Sequence, residues 1–264
     1  MRIDRSDDGD GDGDGDERPD VADAPGVRGT NAAGCAAPNR DAAGKDAGHG
    51  VETASSVRVE RALEHRANVD AVNRAYAIDQ GCARVQEIEE KTVTPAMRRI
   101  EAEDPSRHLV GLEHRLKGKD RLTEKIARAM SERSRTPAQA FAETKDAIRY
   151  TLQYPDEKYV AGVAADVERL QAAGFELADS RNWWKHAEYK GINSWWRFPE
   201  KDQLFEVQFH TRASYDAKQE THEAYERIRS LPPDHEDVYK LHAYQREVTA
   251  KIHIPPGAPD IRIS

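Results

Sequence analysis

The 264-residue sequence is poor in the features that disulfide-stapled, metal-stapled and membrane-embedded proteins depend on. Its 2 cysteines, Cys35 and Cys82, are too few and too far apart for a disulfide framework or a thiolate metal site. No run of about 18 apolar residues occurs, so no spanning helix is expected. Nor do the first twenty residues, which are acidic and glycine-rich, have the basic start and apolar stretch of a signal peptide. These absences lead to the expectation of a cytoplasmic chain, with export by a route that needs no signal peptide left open. Charge is plentiful instead: 33% of residues are charged, and the formal net charge is -8. That net value misleads. The first fifty residues hold 12 acidic and 6 basic side chains, so the remainder, with 36 and 34, is nearly balanced, and a basic cluster there is a local choice.

Residues 1–54 consist of Asp-Gly repeats followed by Ala, Gly, Pro and Asn, with few large apolar side chains to offset the entropy of ordering. They are expected to form a disordered acidic tail. From Val57 to about Glu90, Val59, Leu63, Val69, Val72, Tyr76, Val85 and Ile88 recur at helical spacing, with a break or bend expected at Gly81. Thr94-Pro95 has the signature of a cap and a first-turn proline. The basic run Arg115, Lys117, Lys119, Arg121 and Lys125 follows, passing from a strand end into a helix over about Asp120 to Ser131. A solvated basic face is the ordinary reading of such a helix. Five cations converging on one short segment would also suit a polyphosphate.

Thr136-Pro137-Ala138-Gln139 is a capping box, Asp146 to Leu152 reads as a strand, and Tyr159, Val163, Val167 and Leu170 form the stripe of a helix that Gly174 ends. A second strand from Phe175 completes a βαβ-type spacing. The fold class expected is therefore α/β, a mixed β-sheet flanked by helices. All four tryptophans fall between Asp179 and Trp196, interleaved with Arg181, Lys185, Tyr189 and Lys190. Aromatic faces among cations are what stacks and neutralises a nucleotide, although tryptophans are ordinarily core. Leu204 to Thr211 alternates strictly. Phe205, Val207 and Phe209 share one face, and Glu206, Gln208 and His210 the other, a polar row costly to bury unless it lines a wet cleft or finds partners. Two more helices and a frayed tail, 255–264, are expected to close the chain.

In order, Arg115-x-Lys117 with the Lys125 helix, Asp146-x-x-Arg149, an aromatic and basic loop closing on Gly191-x-x-Ser194, and Glu206-Val207-Gln208-x-x-Thr211 resemble the synthetase domain of RelA/SpoT-type alarmone synthetases. The set looks most like their small, single-domain, toxin-like members. The resemblance spans about residues 57–230, within a synthetase domain taken as 55–254. It implies a nucleotidyltransferase-like sheet and a magnesium-dependent reaction in which ATP gives its β,γ-pyrophosphate to a ribose 3′-hydroxyl. It further implies ATP-binding roles for Arg115, Lys117 and Lys125, with Lys119 and Arg121 as additions from the same run. Asp146 would bind metal, Glu206 would act as general base or metal ligand, and Arg181 would take the place of a loop lysine in catalysis. Tyr189, Lys190, Asn193, Gln208 and His210 fall on the acceptor side.

There the chain departs from the pattern. Ile192 replaces a stacking tyrosine, Trp196 a histidine and His210 an arginine, while Asp146 and Arg149 are three positions apart rather than five. Guanine nucleotides, adenine nucleotides and the 3′ end of tRNA stay open as acceptors, and an antitoxin is an implied partner. A catalytically inactive nucleotide-sensing or RNA-binding module is the alternative, and nucleotidyl transfer with pyrophosphate release a weaker third reading.

Overall fold

The computed structural model describes residues 54–264, with side chains from 57 onward. Of the expected tail, 1–54, all but Ala54 lies outside them.

Five strands form one mixed sheet: β1 (His108–Val110), β2 (Arg149–Tyr154), β3 (Glu176–Asn182), β4 (Ile192–Phe198) and β5 (Gln203–Thr211), in the order β1-β2-β5-β4-β3. Only β2 and β5 pair in parallel; the other neighbours are antiparallel. A parallel pair needs a crossover. Here the chain leaves β2 through helix α5 (Tyr159–Ala172), reaches the far edge as β3, and returns by β4 to lay β5 against β2.

Central position explains why β5 is buried at all nine residues. Its apolar face meets aromatic rings: Phe205 lies edge-on to Phe175, and the Tyr159 hydroxyl of α5 donates to the Phe209 carbonyl at 2.9 Å. Helix α6 (Arg212–Ser230), started by a capping box between Thr211 and Ser214, folds back beside the polar face. Of the two readings of that row, partners rather than solvent hold it.

Before the sheet, α1 (Ala54–Ile88) runs through Gly81 without a break. A Cβ at Gly81 would stand 2.1 Å from the Phe141 ring, so this glycine permits packing against α4 (Pro137–Glu143) rather than a bend. The helical stripe read from Val57 onward is core only near its end. Ile78, Val85 and Ile88 are buried, whereas Val59, Leu63, Val69, Val72 and Tyr76 are exposed. A π-helical turn, Glu89–Val93, joins α1 to α2 (Thr94–Ala102), so Thr94 lies within continuous helix and does not cap it. Its hydroxyl bonds Glu89 and Tyr150 instead.

Helix α3 (Lys119–Glu132) begins one residue earlier than expected, and the Thr136 capping box forms as the sequence indicates. Helix α7 (Glu236–Thr249) is capped by His235, whose side chain accepts from the Asp237 N–H. Residues 255–264 differ from the expected frayed tail. Asn182 donates to the carbonyls of Ala258 and Ile261, Ser180 to that of Ile263, and Ala258 is wholly buried. The segment satisfies edge-strand side chains of β3 that would otherwise face water.

Candidate functional site

The polar face of the sheet can be read from register, because directly paired residues point to the same side. One row runs Arg149, Glu206, Trp195, Asp179; the next runs Thr151, Gln208, Asn193, Arg181. This places Trp195 on the same face as Glu206, while Trp184 and Trp196 are buried in the core. Lys145 sits 4.6 Å from the Trp195 ring centre, and the Arg181 guanidinium stands 6.0 Å from both the Trp183 and Trp195 rings.

Around β2, 115–117 runs alongside 147–149: Arg149 N–H donates to the Arg115 carbonyl at 2.8 Å and Lys117 N–H to that of Ala147 at 3.0 Å. This brings Lys117 Nζ to 2.7 Å from Asp146 Oδ2, and Lys125 of α3 reaches Oδ1 at 3.1 Å. Asp146 lies in the turn before β2, three residues short of the strand expected to carry it. From the first residue of β2, Arg149 bonds Glu206 Oε2 through Nε at 2.6 Å and approaches Asp146 at 3.8 Å. Two carboxylates and three cations thus form one cluster about Arg149.

Burial alone would raise the Asp146 pKa, but Lys125 and Lys117 outweigh it and hold the carboxyl well below its usual range. The Glu206 charge in turn raises that of Arg149, which stays ionised. Gln208 donates to Glu206 Oε1 at 2.7 Å, and Lys218 of α6 donates to Gln208.

The basic run does not converge as a group of five. Arg115 turns to Glu89, bonding Oε1 at 2.8 Å; Lys119 pairs with Asp79 on α1; Arg121 is exposed. Lys117 and Lys119 nevertheless line one cleft of about 170 Å³ with Asp79 and Leu116. Beside it α3 starts from Gly118 with no side-chain cap, leaving first-turn N–H groups of the kind that receive phosphate.

Glu89 was not legible as a site residue. It is 1% exposed, on the π-helical turn, and gathers Thr94, Tyr150 and Arg115 on Oε1, while Oε2 has no partner. Burial raises its pKa, but those three donors more than offset it.

At the other end of the face, the Tyr189 hydroxyl donates to Asn193 Oδ1 at 2.9 Å and lies 2.8 Å from His210 Nε2. His210 Nδ1 is 2.9 Å from Ser214 Oγ. Burial, with Lys218 nearby, holds the His210 pKa well below its usual value and the ring neutral. Gly191, at φ 149°, is required here: a Cβ would stand 2.7 Å from the His210 ring. Lys190, half-buried with its pKa lowered by that burial, donates to the His186 carbonyl.

No family model matches the chain, and no curated protein does. Among solved structures, it is similar to the Type VI effector Tas1 in complex with its immunity protein (16% identity, 66% of this chain and 94% of that one, TM-score 0.45). It is similar also to a GTP pyrophosphokinase family protein from Streptococcus pneumoniae (18%, 62% and 83%, TM-score 0.44). A third is the small alarmone synthetase 1 from Bacillus subtilis bound to its product pppGpp (17%, 62% and 84%, TM-score 0.41). Similarity at this level concerns the fold, and the roles of the site residues rest on their own geometry.

Proposed function

We propose that the chain is a pyrophosphokinase that transfers the β,γ-pyrophosphoryl group of ATP to a ribose 3′-hydroxyl of a nucleotide. The carrying observation is the cluster in which Lys117 and Lys125 pair with Asp146 while Arg149 bridges Asp146 and Glu206. The acceptor oxygen attacks the β-phosphorus, the bond from that phosphorus to the α-phosphate oxygen breaks, and AMP leaves. Glu206 takes the hydroxyl proton, and the lysines and Arg149 stabilise charge on the transferred group.

Asp146 and Glu206 are hard oxygen donors of the type magnesium uses, and one or two carboxylates with substrate phosphates complete its shell. Magnesium, when bound, would neutralise phosphate charge. The cations hold both carboxylates in place, and arriving phosphates would draw Lys117 and Lys125 toward themselves.

On the acceptor side, Tyr189 offers a ring beside Asn193 and His210, while Arg181 is engaged with indole rings and serves positioning rather than proton transfer. A toxin role and an antitoxin partner follow from the motif resemblance alone. One observation favours the binding-module alternative: all four carboxylate oxygens of Asp146 and Glu206 already have donors. Incubating the protein with labelled ATP, magnesium and guanine nucleotide, adenine nucleotide or tRNA separates the readings. AMP release with one acceptor supports transfer; metal-independent ATP binding without product supports the module; pyrophosphate release supports nucleotidyl transfer.

A further inference from the structure

Helix α7 lies outside the charge cluster, yet one face of it is spent on a single residue of the aromatic loop. Glu188 Oε2 is 2.8 Å from His242 Nδ1, its Oε1 accepts from Arg246 Nη1 at 2.6 Å, and its carbonyl accepts from Thr249 Oγ1 at 3.1 Å. Residues 242, 246 and 249 stand at i, i+4 and i+7, the spacing of one helical stripe. A carboxylate can only accept, so His242 carries a proton on Nδ1 whatever its charge. The Glu188 side chain is 17% exposed, more sheltered than either partner.

What this clamp holds has little structure of its own. The segment 183–191 contains neither strand nor helix; Trp184 anchors its start in the core, and its internal ties are Trp183 N–H to the Gly191 carbonyl and His186 N–H to that of Trp183, both 2.9 Å, Glu188 N–H to His186 Nδ1 at 3.2 Å, and Lys190 to the His186 carbonyl. Ordering such a loop costs about 1–2 kcal/mol per residue in backbone entropy, and charge-assisted bonds from a packed helix are a direct way to offset it. Helix α7 is such a support, with Gln245, Val248 and Thr249 buried.

We propose that Glu188 is a positioning residue: through His242, Arg246 and Thr249 it fastens the 183–191 loop to α7 and so holds Tyr189 against Asn193 and His210. The C-terminal helix thereby sets affinity for the acceptor, a consequence that rests on the pyrophosphokinase reading; the fastening itself does not. An ion pair whose cationic partners are 37% and 43% exposed contributes little to global stability, so its loss is expected to loosen the loop and leave the fold intact.

The test compares the full-length protein with Glu188→Gln, Arg246→Met and the double variant. Amide hydrogen exchange in 183–191 is expected to quicken about tenfold in Glu188→Gln and less in Arg246→Met, which leaves the His242 contact in place, with β5 unchanged and the double variant no faster than Glu188→Gln, because its second change removes an interaction already lost. In steady-state kinetics the acceptor KM rises about tenfold while the ATP KM stays within about twofold. Unchanged loop exchange overturns the clamp, as does an equal rise in both KM values. Should the wild type release no AMP with any acceptor, the enzymatic reading fails, and hydrogen exchange alone still decides whether Glu188 fastens the loop.

Discussion

Two arginine–carboxylate pairs in this molecule use the same chemistry to opposite ends. Arg107 and Asp166 are both 0% exposed, and their groups are matched on every side. Arg107 also donates to the carbonyls of Ile100 at 2.5 Å and Asp104 at 3.0 Å, while Asp166 accepts from Tyr154 at 2.6 Å and Arg169 at 2.8 Å. With Glu103 on Arg169, charge balances. Arg149, by contrast, keeps 39% of its side chain exposed although Glu206 keeps only 4%, and three cations face two carboxylates. A closed, balanced network ties β1 and α2 to α5. The open cluster carries surplus positive charge, which in the proposed function meets the phosphates of the donor.

The largest expected effect falls on the closed network. Asp166→Ala leaves Arg107 charged without a partner and is expected to cost about 3–5 kcal/mol in urea unfolding. Whatever protein still folds should keep its turnover number. Next comes Glu206→Gln, which keeps the shape but removes the base: kcat is expected to fall at least about a hundredfold, with ATP affinity within a few-fold. Equal losses of stability in the two variants would erase the distinction between the networks.

A smaller effect is expected from Glu89→Gln. It weakens the grip on Arg115, so the ATP KM should rise about fivefold with the acceptor KM unchanged. If both constants move together, Glu89 serves the fold and not the donor side.

The smallest effect is a pH slope. His210 has a folded pKa below its unfolded value of about 6.5, so the unfolded chain binds the extra proton as pH falls below that point. Stability should therefore drop by up to about 1.4 kcal/mol per pH unit below 6.5 and level off above it, and His210→Gln should flatten the difference in denaturant titrations.

How much of this was legible follows from what periodicity encodes. Alternation in Leu204 to Thr211 announced a strand with an apolar and a polar face, and Thr136 and Gly174 marked a helix start and end, because these signals are local. Partners distant in sequence were not. Nothing around Glu89 announces that it will meet Arg115, 26 positions on, or that Lys119 will turn to Asp79. Gly81 reads as a helix breaker until Phe141 is seen beside it. The stripe from Val59 to Tyr76 has helical spacing, but spacing reveals nothing of whether anything packs on it. Trp195 could have been separated from Trp196 by alternation alone, had the register of β4 against β5 been known.

Whether the open cluster transfers a pyrophosphoryl group is decided most directly by the mass of the product made from ATP, magnesium and the candidate acceptors. An acceptor heavier by one pyrophosphoryl group, with an equal amount of AMP, is the expected result. Intact ATP with every acceptor, from protein shown to be folded and to bind ATP, would contradict it.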